Sequence, residues 1–93
     1  MQLHIEGRRW FQRTYGNTYH SVRIWIGSDQ VAFLPFQYGY GDCFLQTALD
    51  WLRANNHIDG TDERGNPQYG TRYLREDLGG TYSVIDVPRK SDL

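Results

Sequence analysis

Leu3 and Ile5 alternate with His4 and Glu6, the period of two that a strand with one buried face requires. After Gly7, the run from Arg9 to Tyr15 is rich in strand-favouring residues and leads to Gly16-Asn17, one of the two-residue hairpin signals. Tyr19 to Ile26 carries the clearest alternation, with Val22, Ile24 and Ile26 on one side and Ser21, Arg23 and Trp25 on the other. Gly27-Ser28-Asp29-Gln30 is a loop of turn formers. Val31 to Leu34 is then a third strand, closed by Pro35, and the three strands make an antiparallel meander.

The period changes after Gln37-Tyr38-Gly39-Tyr40-Gly41. Asp42 is a good N-cap, and Phe44, Leu45, Ala48, Leu49 and Leu52 fall on one face of a helix that should end near Asn55-Asn56. Gly60, Gly65, Asn66, Pro67 and Gly70 among charges make residues 57–70 a long loop. A short helical turn over Thr71 to Asp77 is stopped by Gly79-Gly80, and Tyr82 to Val87 alternates as the last strand. Residues 88–93 read as a polar tail. The expected fold is α+β: an antiparallel sheet of about four strands with one main helix packed on one face. Residues 1–93 are expected to form a single domain.

Composition narrows the partners. Ten basic against eleven acidic side chains give a net charge of −1, which argues against a general polyanion binder. The balance hides a segment of +3 over residues 1–25 and one of −3 over residues 42–77, either complementary to each other or two separate surfaces. Nine of the ten basic residues are Arg, which favours planar contacts with carboxylates, phosphates or rings. Three Trp, seven Tyr and four Phe supply much of the apolar content, so rings either fill the core or face a partner. No run approaches the ~18 apolar residues of a membrane span, and no export signal follows Arg8-Arg9. The single Cys43 suits a reducing compartment. A cytoplasmic protein, host cytoplasm included, is therefore expected.

Catalytic and cofactor chemistry has little purchase on this chain. Gly39-Tyr40-Gly41 stands between strand and helix, where glycines can aim N–H groups at a phosphate, but Phe44 occupies the third glycine position of a dinucleotide fingerprint and Asp42 would repel the anion. Cys43 lies in a first helical turn with His20 as a conceivable base, yet nothing local joins them. His4, His20, His57 and Cys43 lack metal-ligand spacing, and Asp59, Asp62 and Glu63 do not follow the order of a calcium loop. No enzyme, cofactor or metal is expected.

The densest signal is the stretch from Arg8 to His20, where arginines interleave with rings. On a hairpin, such a stretch can stack on bases and contact phosphates, or form a protein-binding hot spot. It can equally be structural, with Trp10 and Phe11 closing the core and Tyr15 pairing with Tyr19 across the turn. Trp25 alternates away from the apolar stripe, so either a second layer covers it or it belongs to a binding surface.

Gly7-Arg8-Arg9-Trp10-Phe11, Thr14-Tyr15-Gly16-Asn17-Thr18-Tyr19-His20-Ser21-Val22, Pro35-Phe36-Gln37-Tyr38-Gly39-Tyr40-Gly41-Asp42 and Leu45-Gln46-Thr47-Ala48 together resemble a group of small, mostly uncharacterised proteins of phages and other mobile elements. The resemblance covers about residues 7–52. It implies a compact phage protein that binds a host protein, an anti-CRISPR or other anti-defence inhibitor being the leading case. The partner is then a host protein or a defence ribonucleoprotein complex. The runner-up readings are a nucleic-acid-binding module using the Arg-aromatic hairpin and a nucleotide-sequestering protein using arginines and rings around a small pocket. A homodimer through the Trp25 face is a further partner considered, and no membrane is involved. The two polar-aromatic blocks, Thr14 to His20 and Tyr38 to Asp42, should meet in space, with Arg9, Tyr15, Tyr19, His20, Tyr38, Tyr40 and Asp42 as the partner-binding members, joined by Trp25. On this reading the acidic stretch from Asp42 to Asp77 is a weak mimic of nucleic acid, and aromatic anchoring outweighs charge.

Overall fold

The computed structural model describes residues 2–58 and 71–93. Most of the expected loop, residues 59–70, lies outside the described residues. The chain builds a four-stranded sheet, with α1 (Cys43–Ala54) packed on one face. Its strands are β1 (Leu3–Gln12), β2 (Asn17–Ile26), β3 (Asp29–Tyr38) and β4 (Thr81–Val87), in the order β3-β2-β1-β4. The α+β class and the helix on one face are as the periodicities predict. The sheet is mixed, because β4 runs parallel to β1 while β1, β2 and β3 form the antiparallel meander. A helix laid across the sheet returns the chain to the end at which β1 starts, so the following strand must run parallel.

Alternation then divides the sheet. Leu3, Ile5, Val22 and Ile24 face α1 and are buried with Phe44, Leu45, Ala48, Leu49 and Leu52, the five helix positions chosen by the 3.6 period. Gly7 does not break β1. An ideal Cβ there would lie 2.5 Å from the Phe44 ring, so the bare backbone is what lets the helix approach the sheet. Leu74, from the π-helical turn Tyr73–Asp77, completes the core. The helix closes as a Schellman motif: His57 N–H donates to the Leu52 carbonyl and Asn56, at φ 63°, donates to that of Arg53.

Three local expectations change. The β1–β2 hairpin closes through a four-residue loop, 13–16, with Gly16 N–H donating to the Gln12 carbonyl, and Asn17 is already strand. Pro35 does not end β3, which runs on to Tyr38. An edge strand tolerates a residue with no N–H, and Pro35 sits where the β2–β3 register shifts between His20/Val22. That shift has a large effect on the site. Phe33 and Phe36 are three residues apart and would otherwise point to opposite faces, but the extra residue puts both on the face away from α1. Finally, residues 88–93 are not a free tail. They turn back over that open face through a 3-10 turn, Lys90–Asp92.

Candidate functional site

The two polar-aromatic blocks meet at the end of the sheet that carries the β1–β2 hairpin. Gly39 N–H donates to the Thr18 carbonyl at 3.0 Å, and Tyr19 lies opposite Tyr38 in the β2–β3 ladder. Arg9 Nη1 donates to the Gly41 carbonyl at 3.3 Å. Gly39 is required there, since its φ of 150° is poor for other residues and a Cβ would come within 2.7 Å of the Cys43 Cβ.

His20 is the pin of this junction. Its Nδ1–H donates to the Gly39 carbonyl at 3.1 Å, and Nε2 accepts from the Thr47 hydroxyl at 2.8 Å, which fixes a neutral tautomer. Burial pushes its pKa below the ordinary imidazole value, and the Gly39 hydrogen bond only partly opposes this. His20 is therefore not a surface contact as expected from its place in the block; it is 1% exposed. The period-2 pattern that puts Val22 and Ile24 inside puts His20 there too. Cys43 is a half-buried free thiol beside Gly39, but both ring nitrogens of His20 already have partners.

On the open face, rings stack in a row. Trp10 and Tyr19 are 5.8 Å apart at 26°, Tyr19 and Phe36 are 4.6 Å apart at 19°, and Tyr38 meets Tyr19 edge-on. Lys90 Nζ closes the row, 4.7 Å from the Phe36 ring centre. Further along, Arg23 lies over Phe33 and Arg8 donates to the Asp92 carbonyl at 3.1 Å. Burial, together with the Arg8 guanidinium, pulls the Arg23 pKa below its ordinary value against the opposing Glu6 carboxylate. Trp10 and Tyr19 thus belong to a surface stack and not to the core, and the partner ring of Tyr19 is not Tyr15.

On the helix side of the same end, the strands run past the start of α1 and leave a cleft of about 410 Å³. Arg9, Phe11, Arg13, Thr18, Tyr40 and Asp86 line it. Arg9 is held by Asp86 at 2.9 Å. Asp42 lies next to the cleft but is exposed, and although it stands at the N-cap position its carboxylate makes no capping bond. Tyr15 projects from the hairpin loop, 75% exposed. Trp25 is half-buried at the opposite end of the sheet, across from His4, so it is not part of this junction.

Several residues of the site escape sequence reading. Phe36 and Lys90 were hidden behind a strand thought to end at Pro35 and a tail thought to be free. Asp86 reaches Arg9 only because β4 is parallel to β1, which sets the two opposite each other. Arg13 and Phe11 are part of the dense block; alternation along β1 turns Phe11 to the cleft beside Arg9, and the hairpin loop carries Arg13 there. Among the described residues no three His, Cys, Asp or Glu side chains gather as a metal site, and no helix is long and apolar enough to cross a membrane. None of the ion pairs among the described residues joins the basic 1–25 segment to the acidic 42–77 segment. Comparison with protein-family models, curated proteins and solved structures found no match.

Proposed function

We propose that this is a non-enzymatic binding protein that docks the hairpin end of its sheet onto a partner protein. Following the resemblance to small phage proteins, the partner is a complex of a bacterial anti-phage defence system, CRISPR–Cas first, inhibited because its working surface is occupied. The observation that carries this reading is the gathering of exposed rings at one end of a rigid sheet: Phe11, Tyr15, Tyr38 and Tyr40 are all more than half exposed there. Tyr is enriched at binding hot spots, and rings lose little conformational entropy when they dock. The open-face stack favours a protein over single-stranded nucleic acid. Trp10, Tyr19 and Phe36 already use their faces on one another, and Lys90 lies over the ring of Phe36, so the row offers edges more than platforms for bases.

The test is expression in bacteria carrying a defined, active defence system, scored by phage plaquing, followed by affinity measurement with the purified complex. Restored plaquing is expected, with Tyr38→Ala and Tyr40→Ala each weakening binding by about tenfold or more, a hot-spot effect of ~1.4 kcal/mol. Asp59→Lys and Asp62→Lys should weaken it less. No restored plaquing across the defence systems tested, or the opposite ranking of variants, rejects the reading.

A further inference from the structure

We propose that the cleft between the hairpin loop and the start of α1 is a small-molecule site for a nucleoside 5′-monophosphate, at the same end of the sheet as the docking rings and sharing Phe11 and Tyr40 with them. Its volume of about 410 Å³ gives room for a mononucleotide in a cleft that stays open to solvent on one side. What it would hold follows from the chemistry of its walls.

The two guanidinium groups are in different states. Arg9 is fixed, with Nε on the Asp86 Oδ1 at 2.9 Å and Nη1 on the Gly41 carbonyl at 3.3 Å, and its charge is matched by that carboxylate. Arg13 makes no hydrogen bond or ion pair among the described residues, so its guanidinium is free to take an anion at the cleft, with the exposed Asp42 carboxylate beside the cleft as the one opposing charge. A phosphate supplies the anion that a planar, multi-donor guanidinium recognises best. Phe11 and Tyr40, 55% and 74% exposed, give the cleft two rings with uncovered area, suited to a flat heterocycle. The Thr18 hydroxyl and the second carboxylate oxygen of Asp86 line the same cleft, a donor and an acceptor for sugar hydroxyls. An anion, hydroxyls and a flat ring in one small molecule describe a nucleotide. Inorganic phosphate would engage Arg13 alone, and a nucleoside the rings and the hydroxyl partners without Arg13.

The test is isothermal titration of the purified chain with AMP, GMP, CMP and UMP, with inorganic phosphate and adenosine as the separate halves. At least one mononucleotide should bind about tenfold more tightly than either half. Arg13→Ala, Arg13→Glu and Phe11→Ala should each lose about tenfold or more, the scale of one charge-assisted contact or one stacked ring. Both positions are exposed, so the variants should keep the circular dichroism spectrum of the parent. Asp29→Ala, at the far end of the sheet, should bind as the parent does. Lack of binding by all four mononucleotides at about 1 mM, or binding indifferent to Arg13 and Phe11, overturns the site. Preference for a single-stranded oligonucleotide over the mononucleotide overturns it in favour of a nucleic-acid surface. Phe11 serves both readings and Arg13 only the nucleotide site, so Arg13→Ala separates them: it should lose nucleotide binding and keep plaquing and partner affinity, whereas failure of docking leaves nucleotide titration of the parent unchanged.

Discussion

At the scale of single residues, His20 holds the two blocks of the site together and makes the fold sensitive to pH. Its folded pKa lies below the ordinary imidazole value because burial disfavours the imidazolium. The unfolded chain therefore binds the proton more readily than the folded one. The stabilisation is present above about pH 6.5 and is lost as pH falls through the lower folded value. Thermal melts between pH 7.5 and 5 should show the parent losing stability more steeply than His20→Gln, which has no imidazole to protonate. Equal slopes would remove His20 as the cause. The residue type and strand position of His20 were readable in the chain, but its partners were not. Gly39 and Thr47 lie 19 and 27 residues further on, and only the packing of α1 against β2 brings the hydroxyl to the ring.

Among the elements, β3 and the segment after β4 decide what the open face presents. The register shift at Pro35 turns Phe36 to the side where Tyr19 stacks on it, and residues 88–93 then bring Lys90 over that ring and the Asp92 carbonyl to Arg8. A cation–π contact at an exposed site and one hydrogen bond to a charged donor are worth about 2–4 kcal/mol together. Deleting residues 88–93 should lower stability by that order. In a chain whose only tryptophan is Trp10, with Trp25→Phe and Trp51→Phe, the deletion should also move the emission to longer wavelength as water reaches the stack. Unchanged melting and emission would mean that the segment does not cover the face. Strand and helix periods located β1, β2, α1 and β4 well, because each has one face in the core and the alternation records it. Pro35 misled because the rule that proline ends a strand describes central strands, and β3 is an edge.

For the molecule as a whole, charge and rings are arranged for contact in different ways. The −1 total is a near-cancellation, and the ring-rich hairpin end, not a basic stripe, is the dominant exposed feature. Partner binding through that end should weaken by less than about tenfold between 50 and 200 mM salt, whereas six to ten phosphate contacts would cost roughly 10³–10⁵. A steep salt dependence, measured with the purified partner, would reassign the surface to nucleic acid. The amino-acid sequence by itself determined the α+β class, the helix and its buried face, the strands, and the presence of two polar-aromatic blocks, since these depend on local period and propensity. Tertiary structure alone decided the direction of β4, the faces on which Phe33 and Phe36 emerge, the partners of His20, and the Arg9–Asp86 wall of the cleft. Each of these joins residues far apart in the chain, and their pairing is set by which apolar stripes can be buried together, a property no local window contains.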